Sequence, residues 1–179
     1  MNDIPEQPAV KGSPSLAPGE VSTRLADLDD PEDAALVVAL LDAYACDAMG
    51  QGQALTETVR GELVPGLRAF PGSFAVLAFR DNHPAGIAVC FSGFSTFRAK
   101  RLLNIHDFAV LPGYRRCGVG RQLLAAVESL ARQQGCCKVT LEVREDNGSA
   151  RSLYEGAGFG TGRSGLLPAQ YLFLEKRLE

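Results

Sequence analysis

The chain has few residues of the kinds that build a metal site. It contains two histidines, His83 and His106, and five cysteines. The cysteine count is odd, no cysteine stands in a CxxC pair, and the adjacent Cys136 and Cys137 are poor ligands for a single metal ion. We therefore expect no bound metal and reduced thiols, as in a cytoplasmic protein.

The chain also lacks a long apolar run and a surplus of positive charge. Its longest apolar stretch, residues 34–41, ends at Asp42, whereas a membrane span needs roughly 20 such residues. The first residues, MNDIPEQP, are acidic where a signal peptide begins with basic residues and an apolar core. With 18 Lys and Arg against 21 Asp and Glu, the net charge is −3. These features predict a cytoplasmic protein without a membrane or nucleic-acid partner.

What the chain does contain is enough for one packed domain. Its 179 residues are 46 % hydrophobic and 22 % charged, which is ordinary for a globular protein. Residues 1–20 hold four of the ten prolines and few large apolar side chains, which predicts a flexible leader. Residues 21–179 are then expected to form the domain.

The apolar pattern predicts a mixed α/β domain. Strands are expected at 21–28, 74–80, 85–94, 102–110, 139–143 and 171–178, and helices from Pro31 past Tyr44, at 56–70, at 118–134 and at 147–156. This order predicts a mostly antiparallel sheet of six to seven strands with about four helices. One parallel βαβ crossover is expected around residues 102–143.

A glycine-rich turn precedes the clearest helix. It reads Arg115-Arg116-Cys117-Gly118-Val119-Gly120-Arg121. Backbone N–H groups at a helix N-terminus have no intrahelical partner, and the helix dipole adds positive charge there. Because glycine has no Cβ, a ligand can approach the backbone closely, and the arginines add charge. The turn predicts a pyrophosphate site, although surface arginines beside a glycine-rich helix start are the alternative.

A dinucleotide-binding fold is the rival interpretation of this turn. Gly118 and Gly120 lie in the βαβ unit, and Glu142 follows about 20 residues on, where a ribose-binding acid would stand. However, Leu123 occupies the position of the third glycine. Residues 111–117 also separate the strand from the glycines, where the dinucleotide motif needs an immediate tight turn. Both features disfavour a dinucleotide-binding fold.

A second motif follows the Glu142 strand, and with the first it resembles the GCN5-related N-acetyltransferase (GNAT) family. The family's cofactor motif, Arg or Gln followed by x-x-G-x-G/A, is matched by Arg115, Gly118 and Gly120. Its downstream pattern N-x-x-A-x-x-L-Y-x-x-x-G-F is matched by Asn147, Ala150, Leu153, Tyr154, Gly158 and Phe159. The strong resemblance covers residues 103–159, and the element order extends it to about 22–179.

The resemblance implies a single N-acetyltransferase domain that uses acetyl-CoA, usually with an amine acceptor. In such a fold the sheet splays between the strands expected at 102–110 and 139–143. The pantetheine arm pairs with the backbone of Phe108, Ala109 and Val110. The pyrophosphate would lie on the amides of residues 117–121: Cys117, Gly118, Val119, Gly120 and Arg121. An N–H near Val110 would hold the thioester oxygen.

The resemblance also implies catalytic roles. Tyr154 is the expected general acid, since a phenol near the sulfur can protonate the departing thiolate. Asn147 would orient the cofactor, or it caps its helix. For the general base we favour Glu142, with His106 second and Asp107 also considered. Strand alternation predicts that the side chains of His106 and Asp107 face opposite sides.

The acceptor is less defined than the cofactor. The stretch FSGFSTFRAKRLLNIHDFAV, residues 91–110, is similar to the diamine (spermidine/spermine) acetyltransferase branch, which commonly has two acids where His106 and Asp107 stand. The sequence therefore leaves open a small-molecule or a peptide amine, and whether the chain forms a homodimer. The alternative to an enzyme is a non-catalytic acyl-CoA-binding regulatory domain.

Overall fold

The computed structural model describes residues 19–160 and 176, which contain five strands and four α-helices. The strands are β1 (Val21–Leu25), β2 (Ser73–Arg80), β3 (His83–Ser95), β4 (Lys100–Val110) and β5 (Val139–Leu141). The helices are α1 (Pro31–Cys46), α2 (Glu57–Ala69), α3 (Val119–Gln133) and α4 (Gly148–Gly156), and a 3₁₀ turn spans Pro112–Tyr114.

The strands form one sheet in the order β1-β2-β3-β4-β5. Neighbours pair antiparallel except for β4 and β5, which are parallel. The predicted mixed, mostly antiparallel sheet with one parallel crossover is confirmed. The expected number of six to seven strands is not confirmed, because the described residues form a sheet of five strands. The strand predicted at 171–178 lies outside the described residues, apart from Lys176, which belongs to no strand.

Capping residues set the helix starts that the sequence indicates. The Asp30 side chain accepts a hydrogen bond from the N–H of Glu32 at 3.3 Å before α1, and Thr56 accepts one from Val59 at 3.3 Å before α2. Helix α2 continues through Pro65 despite the lost donor. Between β2 and β3, the two residues 81–82 adopt positive φ angles of 51° and 64°, as in the tight turn of a hairpin.

Two apolar clusters cover the two faces of the sheet. The first lies under α3 and contains Leu103, Ile105, Leu123, Leu124 and Val127. The second lies under α1 and α2 and contains Val37, Leu40, Leu67, Phe79, Ile87 and Val89. The sheet is therefore a middle layer, and its two faces take different helices.

Strands β4 and β5 stay together for only part of their length. Their parallel pairing ends at the pair Ile105 and Leu141. Strand β4 continues to Val110, whereas the chain leaves β5 at Leu141 and enters the loop to α4. The sheet therefore opens between residues 106–110 and the β5–α4 loop, as the resemblance implied.

Candidate active-site cleft

A cleft of about 800 Å³ occupies the opening between β4 and β5. Its walls come from β4, the end of α1, the start of α3, the β5–α4 loop and α4 itself. Nearly all of the residues predicted to bind cofactor or to catalyse line it: His106, Phe108, Ala109, Val110, Arg115, Arg116, Gly118, Gly120, Arg121, Glu142, Asn147 and Tyr154. The fold thus brings together residues from four separate elements.

Two predicted cofactor residues do not line the cleft with the others. The side chain of Val119 is fully buried in the cluster under α3. Cys117 is exposed, and its carbonyl accepts a hydrogen bond from Arg80 Nη1 at 3.0 Å. Any role of Val119 toward a ligand therefore falls to its backbone N–H group.

The N-terminus of α3 is built to receive an anion. Gly118 is the N-cap, with a φ of +85° and no capping side chain, so the first N–H groups of the helix lack a side-chain partner. Arg116 and Arg121 flank it, both exposed, and neither forms an ion pair with another residue in the described ranges. Uncompensated guanidinium groups beside a helix N-terminus suit a pyrophosphate.

The two glycines of the turn serve different purposes. A Cβ on Gly118 would meet no atom within 4 Å, so this backbone is open to a ligand. A Cβ on Gly120 would lie 3.1 Å from Leu153 Cδ2 and 3.7 Å from Val110 Cγ2. The sequence predicted ligand approach at both positions, whereas at Gly120 the missing side chain leaves room for α4.

Arg115, the first residue of the cofactor motif, is bound to protein groups. Its Nε donates to the carbonyl oxygen of Val110 at 3.0 Å, and its Nη2 lies 2.5 Å from Asp47 Oδ2. The guanidinium therefore joins the end of β4 to the end of α1. Its charge is compensated by Asp47, in contrast to the charges of Arg116 and Arg121.

Tyr154 packs in the inner part of the cleft. Its side chain is 7 % exposed, and its ring meets Phe108 edge-on with centroids 5.7 Å apart and Phe159 at 5.9 Å. Burial raises the pKa of Tyr154 to about 12, with a smaller contribution from Tyr44. The phenol is therefore protonated throughout the neutral range, as a proton donor must be.

Asn147 lies at the start of α4 and acts as its N-cap. Its Oδ1 accepts a hydrogen bond from the N–H of Ala150 at 3.1 Å, which supports the capping interpretation. The side chain also lines the cleft. Capping fixes the direction of α4 and so the place from which Tyr154 enters the cleft.

Glu142 follows the last residue of β5 and is exposed in the cleft wall. Its Oε2 accepts a hydrogen bond from Asn104 Nδ2 at 3.3 Å. Arg144, two residues further on, pairs with Asp146 through contacts of 2.9 and 2.7 Å. Glu142 is thus a carboxylate held beside the opening of the sheet without a cationic partner among the described residues.

A β-bulge changes the direction of the side chains at His106. Strand β3 pairs Val89 with Asp107 and Cys90 with Ile105, so His106 is an extra residue on β4. The His106 ring contacts Phe91 at 5.6 Å, and both Phe91 and Val89 belong to the cluster under α1 and α2. The prediction that His106 and Asp107 face opposite sides is therefore wrong, because regular alternation is interrupted there.

Of the two residues at the bulge, only His106 lines the cleft. Asp107 is half-buried, and this burial raises the pKa of its carboxyl group against an opposing effect of His106. Asp107 therefore lies beside the cleft rather than in its wall.

Four further cleft residues come from the end of α1 and the residues just after it, and none was predicted as a site residue: Ala43, Tyr44, Asp47 and Met49. Tyr44 lies within the helix expected from Pro31, and the apolar spacing there indicates a core residue rather than a site residue. Burial raises the pKa of Tyr44, and the charges of Asp107 and Asp47 raise it further. The Tyr44 phenol on the α1 wall is thus close enough to Asp107 and Asp47 for their charges to act on it.

The described residues contain neither a cluster of metal ligands nor a membrane-spanning helix. Across residues 19–160 and 176, no three His, Cys, Asp or Glu side chains are grouped so that they could hold a metal ion. Within the same ranges, no helix has the length and apolar character needed to cross a membrane.

Sequence comparison relates the chain to acetyltransferases. Residues 37–159, more than half of the chain, match the model of the acetyltransferase (GNAT) family. An uncharacterized N-acetyltransferase of Bacillus subtilis (strain 168), YhfO, is 33 % identical over 87 residues, which are 49 % of this chain and 58 % of that protein. A [ribosomal protein bS18]-alanine N-acetyltransferase of Haemophilus influenzae is 39 % identical over 79 residues, 44 % of this chain and 49 % of that protein. The matches thus span about half the length of these relatives.

Structure comparison extends the likeness over most of the chain. The crystal structure of a probable acetyltransferase superposes with a TM-score of 0.70 and 22 % identity, covering 88 % of this chain and 99 % of that one. An aminoglycoside acetyltransferase from an uncultured soil metagenomic sample gives a TM-score of 0.70 and 15 % identity, covering 89 % and 97 %. At these identities the likeness concerns the fold.

Proposed function

Because the chain belongs to the GNAT acetyltransferase family, we propose that it transfers an acetyl group from acetyl-CoA to a primary amine of a small molecule or peptide. The amine attacks the thioester directly, and Tyr154 protonates the thiolate that leaves. The observation that carries the proposal is the cleft itself. An open sheet edge, a helix N-terminus without a capping side chain and a buried phenol all face the same space.

The residues present fit a CoA pyrophosphate at the start of α3. Gly118 leaves the backbone open, and the N–H groups that follow it point toward the opening, as helix geometry requires. Arg116 and Arg121 would supply charge to the phosphates. Arg115, already bound to Asp47, would shape the turn rather than bind a phosphate directly.

The edge of β4 that β5 leaves free fits an extended ligand arm. Past Ile105, this edge has no strand partner among the described residues, so the backbone of Phe108, Ala109 and Val110 can pair with amide groups of a pantetheine. An N–H at the end of this edge would stabilise the thioester oxygen as it gains charge. Acetyl-CoA itself supplies the activated acyl group.

Burial makes the phenol of Tyr154 a weaker acid, but it also makes the CoA thiolate a stronger base. Proton transfer between them therefore remains feasible. A phenol with a pKa of about 12 is a weak donor to a thiolate in water, whose pKa is about 8.5. Burial raises a thiol's pKa as well, as Cys90 of this chain illustrates with a pKa of about 12. A thiolate formed beside Tyr154 would likewise be a stronger base than in water, which favours proton transfer from the phenol.

The attacking amine must lose a proton, and two groups in the cleft wall can take it. Glu142 is the first candidate because it is a carboxylate at the opening of the sheet, where it would also attract an ammonium group. His106 is the second, since the bulge turns it toward the side of α1 and it lines the cleft. Asp107, also considered as the base, is disfavoured because it does not line the cleft.

The nature of the amine is the least supported part of the proposal. The Haemophilus influenzae relative is named for an alanine of a ribosomal protein, and one structural neighbour is named for aminoglycosides. These names define two classes to compare, a peptide N-terminus and a polyamino sugar. Polyamines form a third class because residues 91–110 are similar to the diamine branch.

The test is an acceptor screen with purified protein and acetyl-CoA. Release of free CoA is followed with a thiol reagent, and panels of peptides, aminoglycosides, amino acids and polyamines are compared. The expected result is CoA release that depends on one class, with the acetylated amine identified by mass spectrometry. CoA binding by calorimetry without acetylation in any panel would favour the non-catalytic acyl-CoA-binding domain instead. Absence of CoA binding would refute both.

A further inference from the structure

One ion pair joins the end of α1 to the glycine turn at the start of α3. Arg115 Nη2 lies 2.5 Å from Asp47 Oδ2, and the same guanidinium holds the carbonyl of Val110 through Nε at 3.0 Å. The two partners are 68 residues apart in the chain. The Asp47 side chain is 15 % exposed and the Arg115 side chain 49 %, so the carboxylate is the more shielded partner of a pair that lies at the cleft surface.

Asp47 also organises the residues that follow α1, which we call the α1 loop, residues 47–53. Its Oδ1 accepts a hydrogen bond from the N–H of Met49 at 2.9 Å. Its backbone N–H donates to the carbonyl of Tyr44 at 3.0 Å, and its carbonyl accepts from Gly50 at 2.9 Å. One carboxylate thus binds its own loop with one oxygen and the glycine turn with the other.

We propose that Asp47 is a positioning residue that couples the two sides of the cleft. Through Arg115 it links the α1 loop, beside Tyr44 and Met49 in one wall, to the turn on which the CoA pyrophosphate would lie. This inference rests on the proposed function, because it needs CoA to occupy that turn. When CoA restrains residues 115–121, the ion pair restrains the α1 loop as well, so that cofactor binding orders the wall that α1 contributes.

The chain contains a matched control for this ion pair. Asp42, on the helix α1 that ends just before Asp47, accepts a hydrogen bond from the N–H of Leu55 at 2.8 Å and pairs with Arg60 Nη2 at 2.7 Å. Its side chain is 22 % exposed. Arg60 belongs to α2 and has no link to the glycine turn. Asp42→Asn therefore removes an aspartate–arginine ion pair from α1 and leaves the pair between Asp47 and Arg115 in place.

The experiment is amide hydrogen exchange with and without saturating CoA, read by mass spectrometry. In the wild type, CoA should slow exchange about fivefold or more in two segments, residues 116–122 and residues 48–53. In Asp47→Asn, which keeps the size of the side chain and removes its charge, CoA should still protect the first segment and no longer protect the second. Asp42→Asn should keep both effects.

The outcomes separate this inference from the function on which it rests. If CoA protects the turn of the wild type but not the α1 loop, or if Asp47→Asn keeps its loop protection, the coupling is refuted and the cofactor site stands. If CoA at saturating concentration protects neither segment of the wild type, both proposals fail. Should Asp47→Asn fold poorly, Arg115→Met breaks the pair from the other side and should lose the loop protection in the same way.

Discussion

The general-acid role of Tyr154 can be tested by removing one oxygen atom. Tyr154→Phe keeps the ring that packs against Phe108 and Phe159, and no described residue hydrogen-bonds the hydroxyl group that is lost. The fold and the melting temperature should therefore change little. The chemical step loses its proton donor, and such donors typically contribute 10²- to 10⁴-fold.

The size of the expected fall in kcat depends on how the pKa of Tyr154 compares with that of the leaving thiolate. If the thiolate kept its aqueous pKa of about 8.5, a phenol at about 12 would donate against a difference of about 3.5 units, or about 5 kcal/mol, and would contribute little. If the cleft raises the pKa of the thiolate as burial raises that of Cys90, to about 12, the transfer is close to balanced. We therefore expect kcat to fall by about 10²-fold or more.

The assay is pre-steady-state acetyl transfer, so that chemistry is measured apart from product release, with CoA affinity measured by calorimetry. Affinity should stay within about twofold of the wild type. Because the raised pKa keeps Tyr154 protonated up to about pH 12, its ionisation cannot cause a loss of activity between pH 8 and 10. A chemical step that is unchanged in Tyr154→Phe, or an alkaline limb below pH 10 that disappears in it, would refute the reasoning.

Three other predictions follow from the cleft. Replacing Arg116 and Arg121 together by Ala should weaken CoA binding by about tenfold or more at low salt, and calorimetry at high salt should shrink the difference because salt screens exposed charges. In kcat/KM against pH, Glu142→Gln should lose the limb that reports deprotonation of the base and His106→Gln should keep it; the reverse result would assign the base to His106. Gly50→Ala should lower the free energy of unfolding by about 2 kcal/mol or more, because its Cβ would lie 2.1 Å from a carbonyl oxygen in the last turn of α1; an unchanged denaturation midpoint would contradict this.

Much of the fold could be predicted because its signals are local. The apolar face of α3, the cap at Asp30 and the turn at residues 81–82 each depend on residues close together in the chain, and each is present in the structure. Helix α2 continues through Pro65, which removes one backbone donor, because Val64 and Leu67 pack into the cluster under α1 and α2. Burial there offsets the lost hydrogen bond.

The candidate site was predictable where it follows a contiguous motif. The turn at residues 115–121 and the start of α4 are such motifs, and both open into the cleft. The contribution of α1 carried no comparable signal. Tyr44 fits the apolar spacing of its helix, so the pattern alone indicates a core residue.

The sequence by itself determined the candidate cofactor-binding and catalytic groups: the glycine turn and its arginines, Tyr154 and Glu142. What only the tertiary structure decided is how those groups are used. The bulge at His106 comes from the pairing of β3 with β4, and the partner of Arg115 is an aspartate 68 residues away. Periodicity and capping act over a few residues, whereas register and long-range ion pairs depend on how whole elements pack, so no local pattern could have identified them.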